Sequence, residues 1–500
     1  MPPSLRSSFR RAPPAAEQPA GHAYRGEART LLRLAGPIVL SQLGAVGLGT
    51  LDTIMVGPLG PNALATVGLG SSLHIALLLI ASGMLLGMTP LVSQAFGAKD
   101  EHAARQVLMQ GLWLALLLSV PVIWLSAEGE WLARVLGQEP GVAGPVGEYM
   151  YALAWGVPPA VLFFALRQYL DGIGRPRAAM AVTFFGLAVN YVGNRLFIYG
   201  WGELIPAMGA TGSGWATTLV RWSMLAALLA YLRLHPSLAP FRGVRWRPRL
   251  QRLTRLLQIG GPAGALLGLE ISLFSLAAVM MGWFGPLELG THQVTLNLAS
   301  TTFQLGLGVS LAGAVRVGHH LGARNPAGVR HAVVLTYALA MGAMGLCALA
   351  FLAAPEWLLG LYTRDAAIVR LGTTLLAVAA AFQLFDAAQV AGVCVLRGAA
   401  DTRVPALLAA LAYWAVGLPV AYFWGVRGGA GPVGVWVGRL EGGGVGRAER
   451  FRRCSLIQDT YRGGDDRAIV RGLAQSVSWR YRRRTRICVS SSLVELARRR

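Results

Sequence analysis

Three carboxylates stand inside long apolar runs of this chain: Asp52 in GLGTLDTIMVG, Glu270 in PAGALLGLEISLF and Asp386 in FQLFDAAQV. An acid surrounded by hydrocarbon is costly to maintain, and by default it marks an ion or substrate path. Deprived of water, each could hold a proton near neutral pH. Ionised, each could instead ligate a monovalent cation such as Na+ together with hydroxyls and carbonyls. The bland alternative is a carboxylate satisfied by a neighbouring helix, or, for Asp52, a helix boundary one turn out of place.

The polar companions of these acids fall at helical spacing. Asn190 and Asn194 are four residues apart and share one helical face, as do Gln293 and Asn297. Gln383 and Gln389 flank Asp386 at i−3 and i+3. Such residues can line a substrate path, and the same types tie membrane helices together. His74 and His292 read as packed, hydrogen-bonded side chains, whereas His319 and His320, at a helix end, read as solvated. The four cysteines, Cys347, Cys394, Cys454 and Cys488, form no CxxC pair and no zinc spacing, so neither a metal site nor a disulfide framework is expected. No GxxxxGK[ST] sequence is present, so no cofactor is expected and energy for transport would come from an ion gradient.

The elements that must position these groups are membrane helices. Of 500 residues, 54% are hydrophobic and 14% charged, and mean hydropathy is +0.51. That is too apolar for one water-soluble core and fits a bilayer as solvent. Eleven apolar spans are expected, at about 34–57, 66–92, 107–125, 150–170, 178–199, 209–232, 257–284, 289–314, 332–354, 371–395 and 404–424. The segment 1–30 is a basic arm with no apolar stretch and reads as disordered. The formal charge of +22 lies largely in short loops and in the segment 439–500, which points to membrane topology and away from nucleic acid. Arg25, Arg29 and Arg33, then Lys99 and Arg105, then Arg175 and Arg177 alternate with loops carrying Glu128, Glu130, Glu203 and Glu288. The basic loops should be cytoplasmic, as should the N-terminus and the Arg-rich segment 233–256.

The chain is also repeated. LLRLAGP at 31–37 answers LLQIGGP at 256–262, an offset of 225, and Leu51, Met55, Gly57, Gly60 and Pro61 answer Leu276, Met280, Gly282, Gly285 and Pro286 at the same offset. Later the offset is 226, with YLDGIGRP at 169–176 against VLRGAADT at 395–402. Six spans separate the copies, so the halves share one orientation and can rock about a central cleft. The lobes are expected at 31–232 and 257–438. Asp52 aligns with Ala277 and Glu270 with Ala45, so the acids break the repeat.

With GLGTLDTIMVG, SQAFGA, RQYLDGIGRPRAAM, NYVGNRLFIYG, THQVTLNLAS, RVGHHLGA, VLRGAADTRVP and YWAVGLPVAY in this order, the chain resembles the multidrug and toxic compound extrusion (MATE) family, in its bacterial NorM-type branch, over about residues 28–438. The resemblance implies an all-α, two-lobed, twelve-helix exporter of the bacterial inner membrane that expels cationic or aromatic drug-like compounds by antiport with Na+ or H+, working as a monomer. It also implies that Glu270 and Asp386 are the second lobe's cation-site acids, that Asp52 is the first lobe's coupling or substrate acid and that Asn194 is its polar neighbour. Phe382 stands one turn before Asp386, where the family often has tyrosine.

The end of the chain departs from the family. After GVWVGRLEGG come RAERFRRCSL and SWRYRRRTR, so the twelfth span starts near Gly429, fails at Arg439 and leaves an Arg-rich tail over 439–500. A reading-frame change near residue 439 would account for it. Rival functions are a lipid-linked precursor flippase, which needs a strongly cationic cleft, an intramembrane enzyme, which needs a clustered nucleophile or metal set, and an inactive truncated transporter. Against the flippase, basic residues within the spans are few, and Arg195 and Arg221 read as lying near helix ends.

Overall fold

The computed structural model describes residues 20–235 and 246–437, and these are almost wholly helical. The first lobe contains α1 (Ala20–Val56), α2 (Pro61–Leu85), α3 (Met88–Gly97), α4 (Glu101–Ala127), α5 (Gly129–Val135), α6 (Pro140–Ala154), α7 (Val157–Gly172), α8 (Arg177–Tyr199) and α9 (Gly209–Leu234). The second contains α10 (Leu250–Gly282), α11 (Pro286–Gly322), α12 (Pro326–Ala353), α13 (Pro355–Gly360), α14 (Ala366–Gly398) and α15 (Arg403–Ala410). Beyond α15 the helix widens into π turns over Leu411–Gly417 and Ala421–Arg427.

Among the described residues, ten helical segments are long and apolar enough to cross a membrane, α2 and α3 counting together as one, and the bent pair α6 and α7, 48° apart, makes an eleventh span. The eleven apolar runs of the sequence correspond to these in order. Large side chains such as Val120, Trp124, Leu346 and Leu349 stand exposed along them. In a bilayer that is the lipid-facing surface, where apolar exposure carries no penalty.

The internal repeat is reproduced in backbone detail. Lys99 (φ 60°) and Arg324 (φ 53°), which occupy equivalent places in the two copies, are both left-handed. Each precedes a helix cap: Asp100 accepts the Ala103 N–H at 2.9 Å, and Asn325 accepts the Gly328 N–H at 2.9 Å. Gly174 (φ 77°) and Ala400 (φ 63°) repeat a second turn. Two helices extend beyond their expected spans: α1 starts at Ala20, inside the segment 1–30 read as a disordered arm, and α10 at Leu250, inside the basic inter-lobe loop 233–256.

The lobes meet where α1 and α3 pack on α11 and α2 packs on α10. The approach is so close that a side chain at several glycines would strike opposing backbone. A methyl on Gly83 would lie 2.5 Å from Gly264 Cα, one on Gly97 would overlap His319 O, and one on Gly322 would overlap Gln94 O. Close glycine contacts of this kind substitute for hydrophobic driving force between membrane helices. Residues 431–437 begin a further helix, and Val433, Val435 and Trp436 join the second lobe's core beside Met281 and Phe351. The tail at 439–500 lies outside the described residues.

Candidate functional site

Asp52 sits one turn before the end of α1, 8% exposed, with α8 and α9 against it. Its Oδ1 accepts Nδ2–H bonds from Asn190 at 2.9 Å and Asn194 at 2.7 Å. Its Oδ2 accepts the Thr217 hydroxyl at 3.0 Å. The i, i+4 spacing of the two asparagines therefore serves the acid on the neighbouring helix. Thr217, which the sequence reading did not single out, completes the set from α9.

All three donors are neutral, so they hold the carboxylate in place without cancelling its charge. The Oδ1 of Asn194 is fully buried and meets no donor among the described residues. A buried oxygen left with a free lone pair is expensive unless something electropositive approaches it. Asp52, Thr217 and Asn194 thus present oxygens of the type a small monovalent cation takes. A proton on Asp52 would suit the same place.

Around this site lies a second polar layer. Arg221 is one turn beyond Thr217 on α9 and within electrostatic reach of Asp52. It stands near the middle of α9, remote from both Gly209 and Leu234, which corrects the expectation of a helix-end arginine. Its Nη1 contacts His74 Nε2 at 2.9 Å and donates to Leu153 O at 3.5 Å. His74 Nδ1 in turn lies 3.1 Å from Ser126 Oγ. The bend between α6 and α7 frees carbonyls, and α9 satisfies them: Thr218 donates to Ala152 O at 2.6 Å and Trp222 to Trp155 O at 3.2 Å. Gly156, at the break, leaves the room, since a methyl there would be 2.9 Å from Arg221 Cδ. Intramembrane backbone can break only where such donors replace the lost helix bonds.

The second lobe is arranged differently. Glu270, half-buried on α10, accepts the Tyr413 hydroxyl at 3.5 Å. Tyr413 also receives the Gln389 amide, so α10, α14 and the π-wound segment after α15 meet at one hydroxyl. Tyr413 was not foreseen. Asp386 and Phe382 are half-buried on α14. Gln383 is fully buried and donates to Thr302 Oγ1 and, at 3.4 Å, to Ala299 O, tying α14 to α11. Gln293 and Asn297 are exposed on α11, and Asn297 Oδ1 accepts the Tyr362 hydroxyl at 2.9 Å.

At the Arg-rich end of the seam, His319 and His320 are half-buried and bonded, contrary to their reading as solvated. The two lobes lock there by one contact made twice. Gln94 Nε2 donates to Gly398 O at 2.9 Å. His319, the repeat equivalent of Gln94, places its Nε2 2.7 Å from the carbonyl oxygen of Gly172, the repeat equivalent of Gly398. Beside them Arg316 binds both oxygens of Glu27, Nε to Oε1 at 2.7 Å and Nη2 to Oε2 at 2.6 Å. His320 Nε2 is 3.1 Å from the same Oε2. The sequence separations, 289 for Arg316 and 147 for His319, explain why no local pattern announced these bonds.

The MatE family model matches this chain twice, over residues 37–196 and 262–423. The chain is similar to the probable multidrug resistance protein NorM of Mesorhizobium japonicum, 34% identical over 84% of this chain and 91% of that protein. It is 35% identical to the multidrug resistance protein PmpM of Pseudomonas aeruginosa over 86% of this chain and 91% of the relative. Among solved structures, the eukaryotic MATE transporter AtDTX14 superposes with a TM-score of 0.79 over 89% of this chain and 100% of that one, at 20% identity.

Proposed function

The chain belongs to the MatE family of membrane transporters, and on that premise we propose that it exports drug-like organic compounds by antiport with H+ or Na+, with Asp52 as the first-lobe coupling acid. The observation that carries the proposal is the cage itself: a buried carboxylate inside an apolar lobe, held by Asn190, Asn194 and Thr217, with Asn194 Oδ1 left open beside it. A carboxylate held by neutral donors stays free to exchange a proton or cation, because no permanent counter-ion is bonded to it. The names of the relatives, multidrug resistance proteins, support the substrate class.

In the second lobe Glu270 and Asp386 are proposed as the complementary acids, with Tyr413 relaying between Glu270 and Gln389. The basic end of the seam is closed by the paired backbone contacts and by Glu27 with Arg316. With that end in the cytoplasm, the closed seam is the state in which substrate leaves outward. A flippase would need several cations facing an open cleft, whereas Arg221 is engaged inside one lobe by His74 and Leu153 O.

Dye efflux from everted vesicles, driven by a proton gradient or a sodium gradient in separate runs, tests the reading. Asp52→Asn should abolish ion-driven efflux, and Glu270→Gln and Asp386→Asn should impair it. Unimpaired efflux in all three variants would refute the assignment.

A further inference from the structure

At the basic end of the first lobe, a cavity of about 380 Å³ opens between α1, the turn joining α7 to α8, and the last turns of α9. Three guanidinium groups line it, Arg33 from α1 and Arg175 and Arg177 from the turn, together with Thr30 and Tyr231. All three arginines are exposed, and none takes part in the ion pairs found among the described residues. The start of α8 lies in the same wall, and no side chain caps its first turn. Three such cations around a helix start make a strongly anion-attracting concavity.

The fold does not demand this cluster. The same turn recurs in the second lobe, where Ala400 repeats the left-handed backbone of Gly174 and Arg403 answers Arg177, yet Asp401 stands in place of Arg175 and Gln258 in place of Arg33. Two of the three charges are thus particular to the first lobe. The position is telling as well. Arg33 lies where the first apolar run begins and Arg175 and Arg177 lie between two spans, which is the depth of the lipid headgroups. Planar guanidinium groups bind phosphate oxygens in pairs, and basic pockets between helices at this depth suit acidic lipids.

We infer that this cavity is a binding site for the phosphodiester headgroup of an anionic phospholipid in the adjoining leaflet. The full chain, purified in detergent, is titrated with phosphatidylglycerol, phosphatidylcholine and soluble glycerol phosphate, and adducts are counted by native mass spectrometry. Phosphatidylglycerol should bind in preference to phosphatidylcholine. The triple variant Arg33→Gln, Arg175→Gln, Arg177→Gln should lose that preference by about a hundredfold, at roughly fivefold for each cation removed. Replacement of the same three by lysine should retain part of it. A control variant with equal charge loss on the same side, Lys99→Gln, Arg324→Gln, Arg330→Gln, should bind as the unaltered protein does. Undiminished binding by the first triple variant would overturn the site, and equal loss in the control would reduce it to diffuse surface charge. Glycerol phosphate binding as tightly as the lipid would assign the cavity to a soluble anion and overturn the lipid.

Discussion

Thr217 and Arg221 stand one turn apart on α9, and through them a single helical face touches both Asp52 and the break in the fourth span. Whatever occupies Asp52 is thereby linked to the packing of α6 and α7 by a short path of side chains.

Thr217→Val removes one neutral donor from Asp52 while keeping its shape. A hydrogen bond to a charged group contributes about 1.5–3 kcal/mol. Cation affinity, read from the gradient that gives half-maximal efflux, should therefore shift by roughly tenfold to a hundredfold. Asn194→Ala should shift it further, since it also removes the open Oδ1. An unchanged half-maximal gradient in both variants would separate these residues from coupling.

Arg221→Met should destabilise the first lobe by about 1–3 kcal/mol, because Leu153 O and His74 lose a partner in a buried setting. The loss should appear as a lower melting temperature in detergent. Gly156→Ala should show a similar drop, since its methyl would lie 2.8 Å from Thr218 Oγ1 and 2.9 Å from Arg221 Cδ. The combined variant Gly156→Ala, Arg221→Met should be less unstable than the sum, as loss of the guanidinium removes Nη1, 3.2 Å from the same methyl.

Gly97→Ala and Gly322→Ala address the seam. Each methyl would overlap a carbonyl of the other lobe, so the closed arrangement should become inaccessible while each lobe still folds. Cysteines introduced across the basic end should cross-link in the parent protein and fail to do so in either alanine variant.

Glu27→Gln leaves Arg316 without its carboxylate partner between α1 and α11. A partly buried pair broken on one side costs more than an exposed one. The cross-link yield across the seam should fall, and Glu27→Asp, which keeps the charge, should restore part of it. Equal yields in all three proteins would show that the pair does not hold the seam.

How much of this was legible in advance follows from where each signal lies in the chain. Asp52, Asn190 and Asn194 could be read because a charge or an amide inside an apolar run stands out and four-residue spacing fixes a common face. Thr217 could not, since threonines in membrane helices usually bond back to their own helix, as Thr53 does to Gly49 O and Thr336 to Ala332 O. Arg221 could have been found by counting from the ends of its run. The span-4 break has a visible cause in WGVPP, where Pro158 and Pro159 lack the N–H groups that would continue a helix. Tyr413 depends on π turns that no periodicity reveals. The seam depends on contacts between distant parts of the chain, which only the assembled fold defines.

The doubled contact, Gln94 to Gly398 O and His319 to Gly172 O, makes the seam a symmetric joint. When two copies of one surface face each other across a twofold axis, every bond occurs in duplicate, which is the signature of an isologous dimer. Here the duplicate survives within one polypeptide although its donors have diverged to glutamine and histidine. Within one chain the two halves of the joint can differ, so a substitution on one side leaves the matching bond on the other intact.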